Sequence, residues 1–369
     1  QVFDPSLRMV KNNEMGSDPN TLPEFYIRGR TGMDGVTQLD KLEAQQGGDM
    51  SKFSLTTNPN LPVFILDGYE VEVQKIYDMD PNRIASITIL KDAAATAMYG
   101  SRASNGVIVV ETVTPELGKL QVAYSFNASL TVPDLSDYNL MNAEEKLQAE
   151  LLSGLYDLST ANGMTAYVMK KNYITKGVDT DWMSQPLQNQ FNHSHSLYIS
   201  GGTEGFRFGT DLSYNHEGGV MKKSYRNRMS VGIYVDYRVG KLQIRNNVSY
   251  DLARSSDSPY GSFSDYTKQQ PYYPIYDDNG KLLQMLAIGI PNPLYEATLG
   301  NFSRGESSNL TNNLSFYWFI NDHLQLQSQF SVTKNDSEDK DFTDPLSTKY
   351  GSSDNPFTRG SLSVSSTNN

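Results

Sequence analysis

The chain has 369 residues, no cysteine and a net charge of −11, from 31 basic and 42 acidic side chains. The lack of cysteine excludes disulfides, thiolate metal sites and cysteine nucleophiles, and the negative charge argues against a nucleic-acid-binding protein, which needs a basic surface. Aromatic residues make up 11% of the chain and charged residues 20%. This combination suits a β protein that meets a membrane interface or a sugar.

Residues 1–117 have the pattern of a small α+β unit. Pro62 to Leu66 is an apolar run that stops at Asp67-Gly68, a strong signal for a two-residue hairpin turn. A second apolar run, 86–90, also predicts a strand. This part of the chain is therefore expected to contain short strands joined by tight turns.

One short helix is predicted after these strands. Residues 93–99 are rich in alanine; Asp92 suits the positive end of a helix, and Gly100 suits its C-terminal stop. Asn105-Gly106 then predicts a tight turn into a strand over 107–110. Strand, helix and strand in so few residues indicate one small α+β unit.

From residue 118 the pattern changes to long strands in which apolar and polar residues alternate. In 225–237, Val231 and Ile233 share one face, and Ser230 lies on the other. Strands of this length exceed the usual five or six residues and match the roughly nine to eleven that cross a bilayer. Aromatic residues near the ends of the apolar rows suit a membrane girdle. Further strands of this kind are predicted over 119–130, 191–200, 206–215, 242–251, 310–320 and 324–332.

Short and long connections alternate between these strands, as in outer-membrane barrels. The long connection 131–190 predicts a helix that Asn142 caps, with Glu145 three residues on and leucines from 147 to 158 along one stripe. Seven or eight strands cannot enclose a separate domain, and an open sheet in lipid leaves backbone groups unpaired. The sequence is therefore expected to be part of a larger plugged barrel. The other long connections are predicted over 217–223, 254–309 and from 335 onward.

The segment 62–110 resembles the plug domain of the SusC/RagA family of TonB-dependent outer-membrane transporters. The most specific part of the resemblance is the run from Ile87 to Val107. Asp181-Trp182 and the segment 197–202 resemble the start of the family's barrel. Shorter plug matches are Tyr26 to Gly29, Pro62 to Gly68 and Met79 to Ile84.

The resemblance implies a mainly β fold, in which a small α+β plug domain lies inside an antiparallel transmembrane barrel of about 22 strands. Residues 1–117 would be an N-terminally truncated plug, and 118–369 the first seven or eight barrel strands with long extracellular loops. The family's TonB box, the first part of the plug and about two thirds of the barrel are expected to be missing, and 113–118 replaces the usual basic, glycine-rich link. The chain as it stands is not expected to transport anything.

The family also implies a function and a location. Its members import glycans, oligosaccharides or peptides across the Gram-negative outer membrane. The implied partners are a SusD-like lipoprotein lid, the protein TonB, outer-membrane lipid and the imported substrate. No cofactor, metal, catalytic residue or nucleic acid is implied.

Four charged residues of the plug are candidates for ion pairs that hold it inside the barrel. Asp67 and Asp92 have an alternative role in a turn and a helix cap, whereas Arg102 lies beside a tight turn and is the better candidate. The fourth candidate is Arg28. The predicted structural or gating motif also contains Gly29, Gly68, Lys91, Gly100, Asn105 and Gly106.

Five tyrosines crowd one long loop and are candidates for substrate contact. Flat aromatic faces suit pyranose rings, so the functional interpretation is a platform that stacks against a sugar. The alternative is packing against a lid or against neighbouring loops. The residues are Tyr260, Tyr266, Tyr272, Tyr273 and Tyr276.

Three other patterns suggest metal sites only weakly. His193 and His195 lie two residues apart on one strand face, with no thiol or suitably spaced carboxylate nearby. The run 277–280 has the wrong spacing for a calcium loop and favours a β-turn. The acidic residues 336, 338, 339 and 341 favour a solvated loop. No metal site is predicted.

Three functions remain as alternatives to the importer. One is a surface protein that binds carbohydrate without transporting it, and another is a siderophore-type TonB-dependent receptor, which would lack the lipoprotein partner. A glycosidase is the third, although no pair of carboxylates is arranged in the sequence for acid–base catalysis. The protein is not expected to be an enzyme.

Overall fold

The structure is a computed structural model. It describes residues 7–10, 18–20, 24–27, 62–71, 75–76, 79, 81–91, 99, 103, 105–351 and 359–368. Five residues of the predicted plug motif lie outside this set, as does the predicted helix 93–99 except for its last residue. Those five are Arg28, Gly29, Asp92, Gly100 and Arg102.

Two small sheets lie near the N-terminus. Strands β1 (Leu7–Val10) and β2 (Glu24–Ile27) pair with each other antiparallel. A sheet of four strands has the order β4-β3-β6-β5, with β3 parallel to β6. Its strands are β3 (Val63–Leu66), β4 (Tyr69–Val71), β5 (Ile84–Leu90) and β6 (Val107–Thr112).

The four-stranded sheet confirms the predicted hairpin at Asp67-Gly68. Both turn residues have positive φ, 51° for Asp67 and 91° for Gly68, as a two-residue hairpin turn requires. The sheet is apolar on both faces: Phe64 and Ile108 pack on one side and Ile65 on the other. We call this sheet, together with residues 75, 76, 79 and 81–83 beside it, the plug sheet.

A second, larger sheet contains eight antiparallel strands, hydrogen-bonded in chain order from β7 to β16, and its described strands do not close into a barrel. The seven predicted strands are confirmed, and an eighth, β16, follows them. Between β11 and β14, the short strands β12 (Met285–Ala287) and β13 (Ile290–Pro291) pair only with each other. The eight strands are β7 (Gly118–Thr131), β8 (Gln190–Gly202), β9 (Phe206–Gly218), β10 (Tyr225–Val239), β11 (Leu242–Ser256), β14 (Phe302–Asn321), β15 (Leu324–Thr343) and β16 (Ser361–Asn368).

Several strands extend further toward the loops than predicted. β14 and β15 each have 20 residues, and the acidic residues 336–341 lie within β15, paired with β14 and β16. The prediction of a solvated loop there was wrong. In this part of β15 both faces are polar, so the sequence lacks the alternation of apolar and polar residues that predicts a strand. The hydrogen bonds between the strands nevertheless continue.

The two faces of the large sheet differ as the alternation predicts. Along β10, the outward residues Met229, Ile233 and Tyr237 are 46%, 50% and 46% exposed, whereas Arg226 and Asp236 on the opposite face are each 6% exposed. The plug sheet lies on that polar face, because Arg83 forms an ion pair with Asp211 of the neighbouring β9. The polar face is therefore the inner face.

The long connections carry the helices. Helix α1 (Ala143–Leu152) begins with the predicted capping box of Asn142 and Glu145, but it ends before the last two leucines of the predicted stripe because Gly154 has a φ of 77°. No helix among the described residues is both long and apolar enough to cross a membrane. The remaining helices are α2 (Ala161–Thr175), α3 (Phe263–Thr267) and α4 (Pro293–Glu296), with single 3-10 turns at Pro81–Arg83 and Thr348–Tyr350.

Candidate functional site

Among the described residues, Arg83 and Lys75 form ion pairs that join the plug sheet to the inner face of the large sheet. Arg83 pairs with Asp211 of β9, and their side chains are only 15% and 7% exposed. Lys75 pairs with Asp251 of β11 and donates a second hydrogen bond to Ser249 at 3.0 Å. Removing one partner of such a buried pair leaves an uncompensated charge.

Gly232 of β10 shows how closely the plug sheet approaches. A Cβ atom at this position would overlap the Asp211 carboxylate and lie 2.9 Å from the Arg83 guanidinium. The ion pair between Arg83 and Asp211 therefore occupies the space that a side chain at position 232 would need.

The predicted plug residue Asp67 has the turn role considered for it, and its contact with the large sheet is a hydrogen bond with a neutral amide rather than an ion pair. Its carboxylate accepts hydrogen bonds from the backbone N–H and the hydroxyl of Thr112, each at 2.8 Å, which is turn chemistry within the plug sheet. It also lies 3.4 Å from the donating amide of Asn247 on β11. Nearby, the Tyr69 hydroxyl and the Ser315 hydroxyl share a hydrogen bond of 3.0 Å.

The other described motif residues occupy turns and strand ends. Gly68 and Gly106 have φ angles of 91° and 97°, so each supplies the left-handed backbone that its turn needs. Lys91 follows the last residue of β5, and Asn105 precedes the turn into β6. Their part in gating remains a prediction.

Arg83 and Lys75 are the plug residues that sequence reasoning missed as ion-pair partners. Arg83 lies within the family match from Met79 to Ile84, and the alternation along their strands places Asp211 and Asp251 on the polar face. The partners are far apart in sequence, 176 residues for Lys75 and Asp251. Nothing local indicates which plug cation meets which inner-face carboxylate.

The tyrosine-rich loop forms a packed core rather than an open platform. The side chains of Tyr266, Tyr272 and Tyr273 are 0%, 2% and 5% exposed, and they pack with α1 and Trp182. They have no free ring face for a sugar, so the platform prediction was wrong for these three, and the packing alternative describes them. Tyr276 is exposed.

A charged network lies inside this loop core. The Tyr272 hydroxyl donates to the Glu150 carboxylate at 2.9 Å, Tyr156 donates to the same carboxylate, and the Lys170 ammonium donates to Tyr272 at 3.0 Å. Burial raises the pKa of Glu150, but the two tyrosine hydrogen bonds and the Lys170 charge outweigh it, so the net pKa is lowered. Burial, and then Glu150, raise the pKa of Tyr272.

A cleft of about 600 Å³ opens beside the loop core. The exposed ring of Tyr138 lines it together with the carboxylate of Asp181 and the amides of Gln269 and Gln270, whereas Trp182, which also borders it, is only 3% exposed. An aromatic face with amide and carboxylate groups suits hydroxyl-rich or amide-rich ligands. Tyr260, which is partly buried against the core with Lys222 above its ring, is the other predicted contact residue that is not fully buried.

The weak metal patterns are not assembled into a metal site. Among the described residues, no group of three or more His, Cys, Asp or Glu has the arrangement of a metal site. The run 277–280 forms the predicted β-turn, in which the Gly280 N–H donates to the Asp277 carbonyl at 2.9 Å. His193 and His195 lie on the outward face of β8.

Comparison with known proteins agrees with the plug and sheet arrangement. The family model of the TonB-dependent receptor plug domain matches residues 4–107. The TonB-dependent receptor SusC of Bacteroides thetaiotaomicron is 27% identical over 243 residues, which cover 62% of this chain and 22% of the relative. The TonB-dependent receptor P26 of Formosa agariphila is 25% identical over 357 residues, covering 92% of this chain and 34% of the relative.

The fold is shared with a solved transporter. The RagAB peptide importer in its open-open state matches with a TM-score of 0.70 and 19% identity, over 92% of this chain and 38% of that one. The chain spans between 22% and 34% of the length of the two curated relatives. With a plug sheet held on the inner face of a long-stranded antiparallel sheet, the chain is similar to TonB-dependent receptors such as SusC, and its residues 4–107 match their plug domain.

Proposed function

We propose that the full-length protein imports a nutrient, a glycan, oligosaccharide or peptide, across the Gram-negative outer membrane in a TonB-dependent manner. The observation that carries this proposal is the way the plug sheet is held. Its described contacts with the inner face are ion pairs and hydrogen bonds, such as Arg83 with Asp211 and Lys75 with Asp251.

Contacts of this kind suit a plug that moves. When an ion pair between a plug and a water-filled lumen separates, water solvates both partners, whereas separating two apolar surfaces has no such compensation. Force applied through TonB would pull on the plug, so that water replaces these contacts and a path opens. The inner-face charges would then line that path.

The loops are proposed to supply the lid contact and the selectivity. The connections 132–189 and 257–301 form a packed unit around the tyrosine core, and a rigid unit of this kind suits docking of a SusD-like lipoprotein. Substrate would meet the cleft beside Trp182 and the tyrosines 260 and 276. The structural relative RagAB is a peptide importer, which supports a peptide as one of the two substrate classes.

A reversible cross-link tests whether the plug must move. The chain has no cysteine. With any cysteine elsewhere in the full-length protein changed to serine, Tyr69→Cys with Ser315→Cys gives one thiol on each side of the interface, which a short bis-methanethiosulfonate joins. We expect uptake of a radiolabelled oligosaccharide or peptide that supports growth to stop on cross-linking and to recover after reduction.

The matched control joins two residues within the plug sheet. Ser86 and Glu111 are hydrogen-bonded at 2.8 Å, so a Ser86→Cys, Glu111→Cys pair accepts the same reagent without tying the plug to the barrel. Uptake that continues through the Tyr69–Ser315 cross-link would contradict the proposal.

Deletions separate the alternatives. Loss of uptake when TonB is deleted, and separately when a SusD-like lipoprotein is deleted, supports the importer. Uptake that needs TonB but no lipoprotein indicates a siderophore-type receptor. Sugar binding by a protein that stays in solution without detergent indicates a surface binding protein.

A further inference from the structure

Three of the four histidines of the chain lie together on the outward face of the large sheet. His193 of β8 is directly opposite His216 of β9, with their ring centroids 5.4 Å apart, and its ring lies 5.3 Å from that of His195. Asp211, which faces the plug, is at an alternate position on β9, so the three rings point away from the plug. We call them the histidine patch.

The histidine patch lies toward the loop ends of its strands. β8 begins at Gln190, after the long connection 132–189, and β9 ends at Gly218. At the other end, the two strands are joined by the short turn 203–205. In the proposed barrel, short turns face the periplasm and long loops face outward, which places the patch at the level of the outer leaflet.

The contacts of the three rings leave donors available. The Nδ1 of His195 shares a hydrogen bond of 2.7 Å with the Tyr124 hydroxyl, and the Nδ1 of His216 donates to Asn227 at 2.7 Å. Gln190 lies 3.4 Å from the Nε2 of His216. Within the described part of the chain, the Nε2 atoms of His193 and His195 have no hydrogen-bond partner, whereas the Nδ1 of His193 is buried and also without a partner.

The surroundings of the patch are aromatic and uncharged. Phe126 of β7 lies 4.9 Å from His195, Phe191 of β8 lies 5.9 Å from His193, and Tyr214 of β9 lies 6.0 Å from His193, between ring centroids. With Tyr124, Asn227 and Gln190, these are the groups that face the rings from every neighbouring strand. None of the recorded contacts of the three rings within the described residues is with a carboxylate or a cation.

A cluster of ionisable groups on a lipid-facing surface is costly, and it generally has a functional partner. Imidazole N–H groups donate hydrogen bonds when neutral and carry positive charge when protonated. A phosphate group accepts several such bonds at once, and its charge favours the protonated rings. We propose that the histidine patch binds the phosphate of an outer-leaflet lipid headgroup, with the acyl chains against Phe126 and Phe191.

This inference rests on the proposed membrane location, and lipid binding by the full-length protein tests it. The probe is dipalmitoyl phosphatidic acid, compared with dipalmitoylglycerol, which lacks only the phosphate. Binding is measured by native mass spectrometry from a maltoside detergent at pH 6. We expect the phosphate lipid to bind at least about tenfold more tightly, the equivalent of one charge-assisted hydrogen bond.

The variants locate the site. Changing His193, His195 and His216 together to glutamine is expected to remove this preference. The matched control is His323→Gln, because His323 is the fourth histidine and lies exposed in the short turn at the opposite end of the sheet. The triple variant must still fold, which is checked by the shift in gel mobility between unheated and heated samples. An unchanged shift means that lost binding is not caused by misfolding.

Four outcomes would overturn the inference. These are equal binding of the two lipids, an unchanged preference in the triple variant, equally strong competition by inorganic phosphate, or binding of Zn²⁺ by the patch with no phosphate effect. If the protein fractionates with the outer membrane and imports its substrate while the preference is absent, only this inference fails. If the protein is not in the outer membrane, the proposed function fails as well.

Discussion

The plug contacts and the loop core differ in what surrounds their buried charges. At the plug contacts, charges from two separate sheets meet, as in Arg83 with Asp211. In the loop core, the ion pair of Lys170 with Glu150 lies among aromatic rings, and Glu150 also accepts hydrogen bonds from Tyr156 and Tyr272.

The difference supports the proposal that the plug sheet moves while the loop core stays packed. Separating the plug contacts exposes groups that water solvates, whereas opening the loop core exposes aromatic surface at about 25 cal/mol per Å². The plug sheet is thus attached by contacts that can be exchanged, and the loops by contacts that cannot.

The largest effect is expected at the buried ion pair. Asp211→Asn leaves the Arg83 guanidinium without its counter-charge and should reduce the free energy of unfolding of the full-length protein by about 3–5 kcal/mol. The measurement is urea unfolding in detergent micelles. Adding Arg83→Met to the variant should restore part of the loss, because it removes the uncompensated charge.

An exposed ion pair supplies the control for this prediction. Lys176 and Asp278 lie 2.9 Å apart in the loops, and their side chains are 56% and 85% exposed. The same change, Asp278→Asn, should alter the free energy of unfolding by less than about 1 kcal/mol. Equal losses for Asp211→Asn and Asp278→Asn would show that burial does not distinguish the plug contacts.

The second prediction compares the two faces of β10. Val231 lies between Leu212 and Tyr250 on the outward face, and Ser230 lies between Ser213 and Asp251 on the inner face. In the complete barrel, Val231→Arg should reduce the free energy of unfolding in lipid vesicles by about 2–4 kcal/mol near the middle of the bilayer. Ser230→Arg should have a mild effect, and equal losses would contradict the register of this strand.

How much of this fold could be predicted differs between the two regions. Every predicted long strand is present, because a strand with one apolar and one polar face alternates apolar and polar residues along the sequence. The alternation stops within β15, so its extension to Thr343 could not be predicted. Helix α2 was also missed, because it has no buried residue and hence no marked apolar stripe.

The functional residues were harder to predict than the fold. The turn Asp67-Gly68 could be predicted because its two residues are adjacent in sequence and have a clear conformational reason. The partners of Lys75 and Arg83 depend on how two sheets meet, which no local pattern records. The tyrosines looked like a platform because composition shows their number but not the hydrogen-bond and packing partners that bury them.

The third prediction separates two buried tyrosines of the loop core. Tyr272→Phe removes a hydroxyl that bonds to Glu150 and Lys170, so the free energy of unfolding should fall by about 1–3 kcal/mol. The Tyr266 hydroxyl is buried and has no hydrogen-bond partner among the described residues. Tyr266→Phe should therefore be neutral or slightly stabilising, and a loss equal to that of Tyr272→Phe would contradict the network.

The smallest effect is a pH dependence of the loop core. Because the pKa of Glu150 is lowered in the folded state from its ordinary value of 4.5, the unfolded chain binds its proton first as the pH falls. The stabilisation is therefore complete above about pH 4.5 and is lost as the pH falls through the lowered value. Fluorescence of Trp182, which lies in this core, reports the urea midpoint of the full-length protein once other tryptophans are changed to phenylalanine. We expect Glu150→Gln to flatten the acid side of that profile, and an unchanged slope in this variant would assign the pH dependence to groups outside the loop core.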